Sequence, residues 1–322
     1  MIFNQQKHPK NQQQLDMDNK SGIIFNIVHG SFVDGYGVRT TVFLKGCPLR
    51  CVWCCNPEGQ EMKPEIKFIP SQCNECGQCI EICPTGAIAF DTSSVENKLK
   101  INRELCTNCG KCVQVCYQGA LENIGEYVRA EELLDIVKKK EQFYRESNGG
   151  VTIGGGEPTF QPSFTLEFIR ECKKNYLHVA VDTCGYTVTR KAFSILEEAN
   201  LILFDLKGLD QKKHLKNTGV SNKKILNNLK KLDELKKPVI VRLPLIPDLT
   251  DLIENIDSVA KLLSTLKNIQ RIDLLPYHEY GKIKYSQLGK NYCPSPRKID
   301  QIELDNIKHQ LEYHGLNVQF GG

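Results

Sequence analysis

From residue 151 onward the chain changes its apolar period again and again. Short runs of apolar or β-branched residues fall at 151–153, 178–182, 201–207, 239–243 and 271–275. Around and between them lie longer stretches with apolar residues three and four apart, near 130–146, 163–175, 188–199, 222–236 and 252–267. In the fourth of these, Ile225, Leu229, Leu232 and Leu235 share one face of a helix. A last helix is expected over 297–314 and a short end strand over 316–320. Upstream, Arg39–Lys45 reads as a strand that runs into a cysteine-rich loop. Alternation of strand and helix predicts an α/β architecture built on a parallel sheet. The expected division is a loose, Asn-, Gln- and Lys-rich tail at 1–22, a first α/β segment at 23–61, an insert at 62–125 and the remaining units at 126–322.

Composition narrows the field. At 322 residues the chain can bury a substantial core, and its 40 % hydrophobic and 25 % charged residues are ordinary for a globular protein. The net charge of +4 is spread without a long basic block, which argues against a nucleic-acid partner. No stretch approaches the ~18 apolar residues of a membrane span, so no membrane partner is expected. Of the fifteen cysteines, eleven fall in three tight groups. Gaps of two residues make a poor disulfide framework and a good metal one. With no export signal in view, the expected place is the cytoplasm. Open iron–sulfur clusters react with oxygen, so an anaerobic or microaerobic host is expected.

The first group is Gly46-Cys47-Pro48-Leu49-Arg50-Cys51-Val52-Trp53-Cys54. Three thiolates hold three irons of a 4Fe–4S cubane, which normally takes four, and leave the fourth iron open to a small molecule. A zinc knuckle is the alternative reading of such short spacings. The second group is Cys73, Cys76, Cys79 and Cys83-Pro84, and the third is Cys106, Cys109, Cys112 and Cys116. Both carry the bacterial ferredoxin spacing, in which the fourth cysteine of each run serves the other cluster. That assigns Cys73, Cys76, Cys79 and Cys116 to one cluster and Cys106, Cys109, Cys112 and Cys83 to another. Gly86-Ala87-Ile88 and Gly119-Ala120-Leu121 follow the two runs and mark an internal repeat. Such clusters carry single electrons, which suggests a relay toward the first group. Polar residues gather where the strands end: Gly154-Gly155-Gly156-Glu157-Pro158, Asp182-Thr183, Asp205-Leu206-Lys207, Arg242 and His278. In parallel α/β barrels those ends build the site.

The Cys-x3-Cys-x2-Cys segment resembles that of the radical S-adenosylmethionine (SAM) enzymes, whose partial (β/α)6 barrel the six strand–helix units match. Asp34-Gly35-Tyr36-Gly37-Val38-Arg39-Thr40-Thr41, Asn56-Pro57-Glu58, Gly149-Gly150-Val151-Thr152 and Leu275-Pro276-Tyr277-His278 extend the resemblance to the activating enzymes of glycyl radical enzymes. It covers roughly residues 23–290, and the insert is like that of the family's longer branch. The fold implied is a partial (β/α)6 barrel of radical SAM type with an inserted ferredoxin-like α+β domain. The activity implied is oxidoreductive: SAM is cleaved reductively to methionine and a 5′-deoxyadenosyl radical, which takes hydrogen from a glycine of a partner enzyme.

The resemblance also implies residue roles. Cys47, Cys51 and Cys54 would hold the catalytic cluster, and Trp53 would lie beside the adenine. Gly155, Gly156 and Glu157 would receive the methionine amino group. Asp182, Thr183 and Asp205 would bind a monovalent cation near the SAM carboxylate, while Lys207, Arg242 and His278 line the pocket, Lys207 among the catalytic set. Asp34, Gly35, Gly37 and Arg39 would hold the partner's glycine loop. Three 4Fe–4S clusters, SAM and an external donor such as flavodoxin or ferredoxin complete the expected set. Tyr36 stands where the family usually has proline, Gly154 where it usually has serine, and Cys55, Cys172, Cys184 and Cys293 read as spectator thiols. The rivals are a radical SAM enzyme acting on another peptide or a small molecule, and a non-catalytic electron carrier.

Overall fold

The computed structural model describes residues 21–91, 99–292 and 297–321. Cys293 and the chain up to residue 20 lie outside the described residues. The first strand, β1 (Ser21–Ser31), runs antiparallel to β2 (Arg39–Leu44) and was not foreseen as a strand. Ser21 and Gly22, counted above with the tail, pair with Arg129 and Val128 and so belong to the sheet. The next strands are β3 (Glu65–Phe68), β4 (Ile88–Phe90), β5 (Leu99–Ile101) and β6 (Leu121–Ile124). β7 (Glu126–Arg129) returns to lie beside β1. Then follow β8 (Gly150–Gly155), β9 (Val179–Thr183), β10 (Leu201–Asp205), β11 (Val239–Leu245), β12 (Ile269–Pro276) and β13 (Val318–Phe320).

The large sheet has the order β13-β12-β11-β10-β9-β8-β2-β1-β7. β2 and β8 to β12 are parallel neighbours throughout and form the six-stranded partial barrel. β13 extends it in parallel, and β1 and β7 add two antiparallel strands at the other edge. The register decides what meets at the strand ends. Leu44 lies beside Gly155, Phe204 beside Thr183, and Asp205 beside Arg242.

Crossover helices bury one face each against this sheet, as their periodicity requires. The helix Pro162–Lys174 buries Phe164, Phe168, Ile169 and Cys172. The helix Lys223–Glu234 buries Ile225, Leu229 and Leu232, but Leu235 falls at its C-cap and is exposed. The single helix expected over 130–146 is two, Ala130–Lys138 and Glu141–Ser147, broken at Lys139-Lys140. The second turns so that Tyr144 is buried and its hydroxyl donates to Thr40 Oγ1. Two helices absent from the sequence reading, Gln211–Thr218 and Gly281–Gln287, border the cysteine loop.

The insert has its own small core of Ile66, Phe68, Ile88, Leu99, Ala120 and Leu121, against which six of the ferredoxin-type cysteines pack. β3 pairs with β6 and β4 with β5, both antiparallel. The internal repeat shows in the backbone. The one-turn helices Gln78–Glu81 and Lys111–Gln114 each follow a left-handed glycine, Gly77 at φ 78° and Gly110 at φ 74°.

Candidate active site

The cysteine loop leaves β2 through Gly46 and is pinned on three sides by backbone hydrogen bonds. Cys47 N donates to Gln60 O at 3.1 Å, Arg50 N to Thr218 O at 2.7 Å and Val52 N to Asn217 O at 3.0 Å. Those last acceptors end the helix Gln211–Thr218. Its polar sequence hid it, although Asp210 caps its start and Gly219 ends it in the left-handed region. Leu49, Cys51 and Cys184 form a small apolar seat under the loop, with Cys47, Trp53 and Cys54 packed on it.

A cavity opens between this loop and the C-terminal ends of the strands. Cys47, Cys51, Cys54 and Trp53 line one side, and Gly155, Gly156, Asp182, Thr183, Asp205, Lys207, Arg242 and His278 line the rest. The structure thus gathers the residues expected around SAM apart from Glu157, while Asp34, Gly35, Gly37 and Arg39 do not line this cavity. Sequence reasoning missed Leu49, Gln60, Pro244 and Ile246 in the lining, and treated as spectators Cys55 and Cys184, which also line it. Burial pushes the Cys47 thiol up to about 12, helped by the Glu157 charge, and Cys54 up to about 11, helped by Cys55. Burial also raises Cys51, against the nearby Lys207 ammonium. Iron must therefore displace protons to bind this loop.

Glu157 sits differently from the role its resemblance implied. It is fully buried behind the cavity wall. One carboxylate oxygen accepts from Thr159 N at 3.1 Å, Thr159 Oγ1 at 2.8 Å and Thr183 Oγ1 at 2.8 Å. The other accepts from Cys184 N at 2.8 Å. The carboxylate ties the end of β8 to the end of β9, and the backbone of Gly155 and Gly156 faces the cavity instead. A Cβ on Gly156 would lie 2.4 Å from Gly46 O and 2.5 Å from Gly59 O, so only glycine lets this turn pack under the cysteine loop.

Charge fills the floor. Arg242 reaches Asp182 Oδ2 at 3.2 Å, Asp205 Oδ1 at 3.2 Å and, more distantly, Asp34 Oδ1 at 3.7 Å. Lys207 Nζ donates to Asp205 Oδ2 at 2.7 Å. Burial raises Asp182 to about 7, opposed by Arg242 and reinforced by the other carboxylates. Burial would raise Asp205 too, but Lys207 and Arg242 bring it below the usual carboxylate range. Asp205 Oδ1 and Arg242 Nε are both buried and make no aligned hydrogen bond. At the rim His278 is exposed and stacks on Tyr280 with ring centres 4.4 Å apart.

The Asp34 loop borders this floor. Asp34 Oδ2 accepts from Ser31 Oγ and Thr41 Oγ1, each at 2.7 Å, and its carbonyl accepts from Thr152 Oγ1 at 2.7 Å. Gly37 holds φ 66° against the Ser147–Gly149 backbone, and Gly35 holds φ 122°. Arg39 is fully buried beneath the loop. Its guanidinium donates to Thr152 Oγ1 at 2.6 Å, Val151 O at 2.6 Å and Tyr36 O at 3.1 Å, so it supports the loop from below and presents no surface to a partner. Tyr36 lies 5.0 Å over the Arg271 guanidinium.

Two smaller cavities lie in the insert. Cys73, Cys76, Cys79 and Cys116 line one, and Cys83, Cys106, Cys109 and Cys112 line the other. Each takes three thiols from one run and one from the other, as the ferredoxin spacing requires. Among the described residues no three His, Cys, Asp or Glu side chains form a set for a single metal ion.

Comparison with known proteins adds the following. A radical SAM superfamily model matches residues 106–263, and a 4Fe–4S dicluster domain model matches residues 72–120. The chain is 40 % identical over 304 residues to the trans-4-hydroxy-L-proline dehydratase activating enzyme of Clostridioides difficile, covering 93 % of this chain and 99 % of that one. It is 39 % identical over 279 residues to the choline trimethylamine-lyase activating enzyme of Oleidesulfovibrio alaskensis, covering 86 % and 90 %. The crystal structure of a domain of pyruvate-formate lyase-activating enzyme from Bacteroides vulgatus is 28 % identical, with a TM-score of 0.46 over 54 % of this chain and 99 % of that one.

Proposed function

The chain belongs to the radical SAM activating enzymes of glycyl radical enzymes, and on that footing we propose that it installs the radical on a glycine of one such partner. The observation that carries the reading is the cavity itself, which sets three cysteine thiols against the residues at five strand ends. Cys47, Cys51 and Cys54 hold a 4Fe–4S cluster there. A bound, reduced cluster would supply the single electron that cleaves SAM to methionine and a 5′-deoxyadenosyl radical, which would take hydrogen from the partner's glycine and leave as 5′-deoxyadenosine.

The chain's own residues bind, orient and exclude water. The backbone at Gly155 and Gly156 receives the methionine amino group, while Glu157 holds Thr183 and Cys184 in place. Trp53 covers the adenine side. Arg242, Lys207 and His278 shape the rest of the pocket. Asp182, Thr183 and Asp205 take a monovalent cation, a reading supported by the three carboxylates, Asp34, Asp182 and Asp205, gathered around one guanidinium at the floor. Asp34 and its glycines present the edge on which the partner's glycine segment lies, beside the same floor. The insert holds two more 4Fe–4S clusters and draws electrons from a small carrier such as flavodoxin or ferredoxin. Among the described residues no helix is long and apolar enough to cross a membrane. We place the protein in the cytoplasm, where reduced thiols persist.

The test uses anaerobically reconstituted, dithionite-reduced protein with SAM and a candidate glycyl radical enzyme. 5′-Deoxyadenosine and methionine are quantified, and the glycyl radical is counted by electron paramagnetic resonance (EPR). Equal yields of radical and 5′-deoxyadenosine, lost in Cys51→Ala, are expected. SAM cleavage with no radical on any glycyl radical enzyme tried would point to another substrate. A fully iron-loaded protein that never cleaves SAM would leave only an electron carrier.

A further inference from the structure

One ion-pair network joins the insert to the barrel. At the first residue of β3, the Glu65 carboxylate takes Lys45 Nζ at 3.0 Å and Lys290 Nζ at 3.1 Å. Lys45 is fully buried at the root of the cysteine loop, and its Nζ also donates to the Glu58 carbonyl at 2.5 Å. The next residue, Ile66, borders the cavity of Cys83, Cys106, Cys109 and Cys112, and its backbone N donates to Asn108 Oδ1 at 3.3 Å. Phe68, two positions on, borders the cavity of Cys73, Cys76, Cys79 and Cys116. A strand advances about 3.3 Å per residue. The first cavity is therefore one step from the Lys45 clamp, and the second lies farther out along the strand.

Arg103 occupies the joint. Its Nη1 donates to Ile66 O at 2.5 Å. Its Nε is buried and has no hydrogen-bond partner. A Cβ on Gly289, in the segment after the helix Gly281–Gln287, would stand 3.4 Å from that Nε. The guanidinium is anchored on Ile66, which lines the inner cavity, so its fixed positive charge stands next to that site, and a cation placed beside a cluster favours the reduced form. The two cavities also differ in their borders: Lys111 lies on the inner one and Glu75 on the outer.

We propose that the Cys83–Cys106–Cys109–Cys112 site is the one that faces the barrel, and that Arg103 is its positioning and charge-tuning residue, making it the last station for an electron bound for the Cys47–Cys54 loop. This rests on the reading that the insert holds two clusters. The outer site, bordered by Glu75, receives the electron first, and the inner, bordered by Lys111 and with Arg103 at the joint beside it, holds it against the barrel.

The experiment is an EPR-monitored redox titration of the full-length, fully reconstituted protein. In Arg103→Gln, one insert cluster is expected to drop in potential, while the other insert cluster and the Cys47–Cys54 cluster keep theirs. The drop should survive in a Cys76→Ala background and be missing in a Cys109→Ala background. Arg103→Lys, which keeps the charge without the planar fork, should give a smaller drop at the same cluster. If Arg103→Gln fails to load iron, a second measurement decides with the native arginine in place. Faster spin relaxation of the reduced Cys47–Cys54 cluster, caused by its neighbour, should persist in Cys76→Ala and vanish in Cys109→Ala. Unmoved potentials, a shift at the outer cluster, or the reverse relaxation pattern overturns the proposal. Iron and sulfide for fewer than three clusters would overturn the underlying reading instead.

Discussion

Replacing Glu157 by glutamine separates a strut from a ligand. The native carboxylate is fully buried and accepts four hydrogen bonds, three on one oxygen and one, from Cys184 N, on the other. Glutamine keeps one acceptor oxygen, which suits the Thr159 and Thr183 donors, and turns its NH2 toward the Cys184 N–H. One charge-assisted bond, worth about 1.5–3 kcal/mol, is lost, and three others weaken toward the neutral range of about 0.5–1.5 kcal/mol. Relief from burying a carboxylate returns part of this. The net local cost is about 2–4 kcal/mol. Anaerobic hydrogen exchange of the iron-loaded protein reads it where it falls: the amides of Cys184 and Gly185 should exchange roughly thirtyfold to a thousandfold faster. SAM affinity should fall only as far as the displaced Thr183 and Cys184 wall requires. Unchanged exchange together with a tenfold or greater loss of SAM affinity would refute the reasoning, because the side chain would then be touching SAM.

Three further outcomes are expected. Gly156→Ala drives a methyl into Gly46 O and Gly59 O, so it should cost about 1–3 kcal/mol and lower 5′-deoxyadenosine yield per bound iron by roughly a hundredfold; yield within twofold of the native protein would show that the loop adapts. Arg39→Met strands the acceptors on Tyr36, Val151 and Thr152, so it should lower the urea midpoint and reduce glycyl radical formation on the partner more than SAM cleavage without it. Burial and the Arg39 cation hold His178 down at about 4, whereas the unfolded chain takes up that proton near pH 6.5. Unfolding therefore binds a proton between those values, and stability falls as pH drops from 6.5 toward 4. His178→Gln should flatten that slope in urea titrations at pH 7.5 and 5.5.

The strands of the barrel were legible because each is a short, largely buried apolar run with polar residues towards or just beyond its end. The same strand ends gave the cavity, since parallel register brings Asp205 beside Arg242 and Thr183 beside Phe204 without further information. What escaped was set by contacts rather than by period. The helix Gln211–Thr218 carries little apolar pattern; it is fixed by its Asp210 cap and by its last carbonyls, which accept from Arg50 N and Val52 N of the cysteine loop. β1 reads as one apolar run, Ile23 to Val28, with no alternation to mark it as an antiparallel edge partner. The burial of Arg39 and Glu157 was equally invisible, because a charged residue after a glycine turn looks the same whether it faces solvent, ligand or core. Their internal partners, Thr152 and Val151 for one and Thr159 and Thr183 for the other, become visible only once β2, β8 and β9 are side by side.

The charges beneath the cavity argue for a site kept for chemistry. Among the described residues the ion pairs of Asp34, Asp182 and Asp205 run to Arg242 and Lys207, so three carboxylates share two cations in a largely buried space. Well-packed apolar side chains would hold the strand ends together at least as well. Burial raises the Asp182 carboxyl to about 7 against the pull of Arg242, and the Asp205 and Asp34 charges add to the rise. A bound cation would relieve that excess, and the SAM sulfonium is itself one. Arg242 touches both ends of the problem: through Asp34 it reaches the loop assigned to the partner's glycine, and through Asp205 and Lys207 it reaches Cys51. On the proposed function, a change in charge at either end would shift the pairing of this one guanidinium.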